Sequence, residues 1–292
     1  MEIKQLQLFV SVANTGSVTV AARRCNITKS SVSRHIAALE SELGEPLFDK
    51  NNVLTEVGKK FLRRATNIVK EVQESKNEVE EMKGNLCGEL HIGVGHFIAP
   101  YIRKASIIFM KRYPNVILHA QFDHAKVLNS MLRNDELDLA FSMNTAYHYE
   151  EIVSTPAIPF HLSAIMSKEH RLADKEYVTF DDLMQCKIMM PDVGERVFQT
   201  VQRYTPFDIS KLPVSCISSS ASEALSVLHE LDMITFLPSE YIVSSHHLVA
   251  KPIATLDMQL TSNAHWKKNV PLKESAKRFL EIIKEITAED ER

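Results

Sequence analysis

Two groups of side chains in this sequence could do chemistry, and neither is a catalytic set. The first is Lys29, Ser30, Ser33 and Arg34. These are two cations a little over one helical turn apart, interleaved with hydroxyls and free of carboxylates until Glu40. Such a face suits phosphate oxygens and base edges in a DNA major groove. The second group follows apolar runs along the chain: His96 and Phe97, Ser142 and Asn144, Ser218 and Ser219. Residues just beyond strand ends converge where small molecules bind, and a helix starting near His96 would offer free N–H groups to an anion. Each also has a plainer role, as a helix cap for the serines and a surface loop position for His96. No nucleophile–base pair, phosphate loop, HExxH or paired carboxylate stands out, so neither an enzyme, nor a cofactor, nor a metal is expected. The four cysteines (25, 87, 186 and 216) form no CxxC or zinc set. Reduced structural thiols are the first reading of them, and a redox switch between Cys186 and Cys216 the second.

The elements that must position these groups follow from apolar spacing. Val32, Ile36, Leu39 and Leu43 recur at helical intervals, Thr28 is a good N-cap and Gly44 a natural stop. A shorter helix is predicted over residues 17–25, separated from the first by only Asn26 and Ile27, and Ile3, Leu6, Phe9, Val10 and Ala13 give a third helix to cover both. Two crossing helices so closely joined form a helix-turn-helix. Beyond Gly58, residues Leu62, Ala65, Val69, Val72, Lys76, Val79 and Lys83 alternate three and four apart, the spacing of a short and imperfect coiled coil. Packing of that helix onto its own N-terminal segment is the alternative. After a hinge at 84–88, strand patterns at 89–95, 116–122 and 137–141 alternate with helical ones over 100–112 and 125–133. A second set starts near 163, and residues 264–268 return the chain to the first before a terminal amphipathic helix. The class is α/β.

A chain of 292 residues suits about two domains. Its net charge of −3 is unevenly divided: residues 1–64 hold ten Lys and Arg against six Asp and Glu, a surplus of four, which leaves −7 for the rest. Only the N-terminal segment has the sign that phosphate contact needs. No window approaches the roughly 18 apolar residues of a membrane span, and Glu2 with two early glutamines is unlike a signal peptide, so cytoplasmic residence and no membrane partner are expected.

Several short motifs then fall in a recognisable order: Leu-Gln-Leu-Phe-Val at 6–10, Gly-Ser-Val-Thr-Val-Ala-Ala at 16–22, Val-Ser-Arg-His-Ile at 32–36, Leu-Gly-Glu-Pro-Leu-Phe at 43–48, Leu-Thr-Glu-Val-Gly at 54–58 and Asp-Leu-Ala at 138–140. In order and spacing they resemble the LysR-type transcriptional regulators over essentially the whole chain. That resemblance implies a winged helix-turn-helix DNA-binding domain at 1–58, a linker and dimerisation helix with its hinge at 59–88, and an effector-binding domain at 89–292. The last would have two lobes in the manner of periplasmic solute-binding proteins, lobe I at about 89–162 and 268–292 and lobe II at about 163–267. It further implies double-stranded promoter DNA with an interrupted palindrome as partner. Dimers through the linker helix would assemble into tetramers. A small effector, with an anion among the candidates, would sit in the inter-lobe cleft near His96, Phe97, Ser142, Asn144, Ser218 and Ser219. DNA contacts would come from Lys29, Ser30, Ser33, Arg34 and Lys50. Three departures stand out. The wing at 49–53 is short and has no arginine, Ala125 replaces a common hydroxyl residue, and Asp123 replaces a common glycine. A solute-binding or transport component on the same scaffold is the alternative; the basic N-terminal segment speaks against it.

Overall fold

The computed structural model describes all residues except 83, 144–148, 193–198, 200, 204, 229, 255–258, 291 and 292, with only the backbone at 289 and 290. The chain divides into two compact units, Met1–Asn85 and Leu86–Arg292.

In the first unit, α1 (Ile3–Thr15), α2 (Val18–Arg24) and α3 (Lys29–Leu43) precede the long α4 (Glu56–Met82). α3 ends at Gly44, whose φ of 73° is left-handed and carries no Cβ penalty. Asn26, at φ 54°, turns the chain between α2 and α3. Ala21 and Ala22 are small enough to let α2 approach Leu8, Val12, Val32 and Ile36. A second cluster joins Leu6, Phe9, Leu39, Leu47 and Ala65. Leu43, expected on the buried stripe of α3, is 37% exposed, because the helix has left the core by its last turn. A short wing turns over residues 49–53, marked by one antiparallel bridge from Phe48 to Leu54. Asp49 Oδ1 accepts the N–H groups of Asn51 and Val53 and closes it. Glu40 of α3 accepts the N–H groups of Leu47 and Phe48 and anchors its first arm. α4 starts at Glu56, ahead of the expected linker start. Gly58 lies in its first turn, where a Cβ would sit 2.1 Å from the Leu47 carbonyl oxygen.

The second unit holds two five-stranded sheets. One contains β1 (Gly88–Val94), β2 (Val116–Phe122), β3 (Leu139–Met143), β4 (Ile152–Phe160) and β10 (Leu260–Lys267), in the order β2-β1-β3-β10-β4. The other contains β5 (Ser163–Ser167), β6 (Lys187–Pro191), β7 (Val214–Ser218), β8 (Met233–Leu237) and β9 (Leu248–Pro252), in the order β7-β6-β8-β5-β9. β1 runs parallel to β2 and β3, and β10 antiparallel to both neighbours. The helices bounded within the described residues are α5 (Ala99–Arg112), α6 (Ala125–Arg133), α7 (Phe180–Leu183), α8 (Ala221–Val227) and α9 (Glu274–Asp290). Leu90, Ile92 and Val94 of β1 point into a core with Phe109, Phe141 and Phe279, whose rings meet at 5.4–5.9 Å. Each such buried ring contributes about 1.5–3 kcal/mol.

The chain is back in the first sheet by Leu260, earlier than the 267/268 boundary read from sequence. Ser262 and Asn263 are buried polar residues within β10, so the apolar signal starts only at Ala264. β4 and β9 carry no clear strand pattern in the sequence. Both are edge strands, and Pro156, Pro159 and Pro252 mask them, since proline is tolerated at a sheet edge but reads as a breaker. Among the described residues no helix is long and apolar enough to cross a membrane.

Candidate functional site

The first unit presents one polar face of α3. Thr28 caps the helix by accepting the N–H of Ser31, and its hydroxyl lies 3.0 Å from that of Ser30. Val32, Ile36 and Leu39 fix the opposite face in the core, which leaves Lys29, Ser30, Ser33 and Arg34 exposed at the helix start. Neither Lys29 nor Arg34 makes an ion pair with a described residue, whereas Lys59 on α4 is held by Glu56 at 2.6 Å. His35 is less free, its Nδ1 lying 2.7 Å from the Ser31 carbonyl. Lys50 is exposed at the tip of the wing. Arg23 and Arg24, also exposed, close α2. The α3 cluster is therefore a cationic, hydroxyl-rich surface with its charges available to a polyanion.

In the second unit a small pocket is lined by His96, Phe97, Asp123, His124, Ala125, Ser142 and Met143. Gly95 ends β1 by donating its N–H to Phe141 O at 2.7 Å, which sets His96 beside the end of β3. His124 occupies the equivalent place after β2. The two imidazoles meet edge to face, centroids 5.0 Å apart. His96 Nε2 and His124 Nδ1 are buried without a hydrogen-bond partner among the described residues. A buried imidazole nitrogen left unsatisfied costs about 1–3 kcal/mol, so a ligand that pairs with it recovers that cost. From the second sheet, Asp192 places a carboxylate oxygen 3.9 Å from His124 Nε2. Tyr241, in a 3-10 turn at Ser239–Ile242, donates its hydroxyl to the His96 carbonyl. Burial, helped by the neighbouring His124, pushes the His96 imidazole below its ordinary pKa, although Asp123 and Asp192 pull it upward.

Of the residues expected from sequence, this pocket brings together His96, Phe97 and Ser142. Ser142 is only 2% exposed and its hydroxyl lies 3.0 Å from His265 Nε2, inside the core. Ser218 and Ser219 do not line the pocket. The Ser218 hydroxyl donates to Ser220 O and accepts the Ser220 N–H, a local turn, and it is Ser220 rather than either of them that caps α8. Asn144 lies outside the described residues. His96 itself is in a 3-10 turn, His96–Ile98, ahead of α5, and Pro100 removes one N–H from the first turn. The helix N-terminus is a weaker anion site than expected, and two carboxylates flank it. Reasoning from sequence missed His124, Asp192 and Tyr241. His124 could have been found by the same strand-end logic as His96, whereas the other two arrive from distant parts of the chain. Phe97 also stands on the wall of a second, apolar cavity with Leu162, Phe180, Met190, Phe207 and Phe236, partly open to solvent.

Cys186 is buried, and burial pushes its thiol above the ordinary value, the reverse of what a reactive thiolate needs.

Comparison with known proteins covers both units. Residues 3–59 match the family described as "Bacterial regulatory helix-turn-helix protein, lysR family", and residues 83–288 match "LysR substrate binding domain". The HTH-type transcriptional regulator CysB of Burkholderia cenocepacia is 30% identical over 187 residues, which is 62% of this chain and 60% of CysB. An uncharacterized HTH-type transcriptional regulator of Bacillus subtilis, YvbU, is 27% identical over 302 residues, 98% of this chain and 99% of its own. The crystal structure of full-length CbnR complexed with its target DNA is similar at a TM-score of 0.71 and 17% identity, covering 98% of this chain and 99% of CbnR. Full-length OxyR from Pseudomonas aeruginosa, in a variant form, gives 0.68 at 20% identity, covering 97% and 95%. These structural likenesses show a shared fold, and the sequence relatives are regulators rather than transport proteins.

Proposed function

Since this chain belongs to the LysR family of transcriptional regulators, we propose that Lys29, Ser30, Ser33 and Arg34 read promoter DNA, and that a small molecule held by His96, Phe97 and His124 governs how they do so. The observation that supports the DNA reading best is the pair of exposed cations at the start of α3, unengaged by any described carboxylate. Lys50 on the wing adds a phosphate contact. Paired along α4, two chains would carry two α3 helices to the halves of an interrupted palindrome. A second contact between effector units would make tetramers. Ile117 and Phe122 on edge strand β2, and Val214 and Ile217 on edge strand β7, are all more than 40% exposed and supply an apolar surface for it. The chain would act in the cytoplasm, where promoter DNA is.

The ligand pocket supports an effector that hydrogen-bonds the two imidazoles and sets an apolar body against Phe97. With Asp123 and Asp192 at the rim, a neutral or cationic polar end fits better than the anion expected from the helix N-terminus. Because residues from both sheets meet there, a ligand would alter how the lobes sit and shift the population of DNA-bound assemblies. Mobility shifts on the DNA upstream of this protein's own gene test the first half. Saturable binding by wild type that is weakened in Arg34→Ala supports it, and no binding, or none beyond that to unrelated DNA, overturns it. Thermal-shift screening of metabolites tests the second half. A stabilising compound whose effect survives both His96→Ala and His124→Ala would move the site elsewhere.

A further inference from the structure

On the first sheet, away from the ligand pocket, parallel pairing of β1 and β2 sets His91 directly beside His119, with Glu89 two residues before His91 on the same face. Leu90, Ile92 and Val94 alternate with them and are fully buried, so strand periodicity turns Glu89 and His91 to the other side. The two imidazoles stack with centroids 4.3 Å apart and planes within 3°. Both direct Nε2 at a single carboxylate oxygen: Glu89 Oε2 lies 3.0 Å from His91 Nε2 and 3.6 Å from His119 Nε2. All three donor atoms fall within 4.8 Å of one another.

The geometry points to a site for a divalent transition-metal ion. Ligand atoms bound at about 2.1 Å and spaced 90–120° around an ion stand roughly 2.9–3.6 Å apart, the range of the two separations to Glu89. Two imidazoles and one carboxylate are the donor set preferred by Zn²⁺, Ni²⁺, Co²⁺ and Cu²⁺ rather than by Mg²⁺ or Ca²⁺. Three protein ligands leave further positions for water. The scaffold is rigid: both histidines sit inside paired strands, and the His91 N–H is held by Asp138 Oδ2 at 2.9 Å. Ligation uses the unprotonated ring nitrogens, so metal binding releases any proton they carry.

The test is titration of the metal-free full-length chain with Co²⁺, followed by visible absorption, which separates nitrogen–oxygen ligation from ligation by the free thiols. We expect one ion per chain with a nitrogen–oxygen spectrum, roughly 10- to 100-fold weaker binding in His91→Ala and in His119→Ala, and a Zn²⁺-dependent rise in melting temperature that both variants lose. All three side chains are at least partly exposed, so the variants should fold, and their melting curves without metal report this directly. Absence of saturable binding in wild type overturns the proposal. So does binding that survives in the His91→Ala/His119→Ala double variant, or a spectrum of thiolate type.

Discussion

Arg34 and Lys29 differ from Lys59 and Lys70, each paired with a glutamate on α4, less in charge than in what surrounds them. No carboxylate lies in the first two turns of α3, and the helix's later acids are occupied, Glu40 by the wing and Glu42 by the N-terminal amine. Replacement of Arg34 by alanine should cost about 1–3 kcal/mol of specific DNA affinity if it reaches guanine in bidentate fashion. Fluorescence anisotropy on the promoter fragment reads that loss, and an unchanged dissociation constant would remove Arg34 from the contact surface. A second residue-scale prediction concerns His265. Burial holds its imidazole below the ordinary pKa, and its Nε2 lies 3.3 Å from the Ser142 carbonyl. Between its ordinary value of about 6.5 and the lower folded value, the unfolded chain takes up a proton that the folded chain refuses. The stability that depends on this is present above about pH 6.5 and drains away as the pH falls. The melting temperature should therefore drop from about pH 7 to pH 5, and less steeply in His265→Gln, which keeps an N–H for Ser142. An identical slope in both proteins would show that His265 carries none of it. The serine was legible as a strand-end polar residue, but its partner was not: β10 brings His265 to Ser142 from the far end of the chain.

Helices and strands were readable where their residues repeat, and unreadable where the signal depends on a neighbour. The stripe of α3 through Val32, Ile36 and Leu39 and the caps at Thr28 and Gly44 are local, and they came out as expected, with Leu43 the exception. The 3-10 turn before α5 and the early start of β10 are set by partners elsewhere in the sheet, and they did not. Gly58 is an intermediate case. Its place in a family motif was visible, but the reason for it is the Leu47 carbonyl of the wing, which leaves no room for a Cβ. Gly58→Ala should push the wing off α4 at a cost of about 1–3 kcal/mol, typical of overpacking. Thermal unfolding of the first unit, followed alongside DNA affinity, would show both falling. Unaltered values would mean the wing shifts freely.

At the level of the assembly, two separate apolar surfaces remain open on one chain. Along α4, Val72 is half-buried and Val79 is 52% exposed; in the effector unit, Ile217 on β7 is 67% exposed. If both are contacts between copies, Val72→Glu and Ile217→Lys should each reduce a tetramer to dimers, and the double variant should give monomers. Multi-angle light scattering distinguishes these outcomes, and a tetramer that survives the double change would place the contacts elsewhere. Strand β10 carries a different kind of consequence. The first sheet is not finished by the residues that begin it: β4 ends at Phe160, and the strand that binds it starts only at Leu260, with Phe279 of α9 later still. The second sheet's own cluster is drawn wholly from residues 164–253. During synthesis that lobe can close while the first still waits on the ribosome with Phe109 and Phe141 uncovered. A chain cut between Phe160 and Leu260 would leave that unclosed sheet as a substrate for chaperones and proteases, so a stop codon there should remove the protein from the cell rather than leave a DNA-binding fragment with a passive tail.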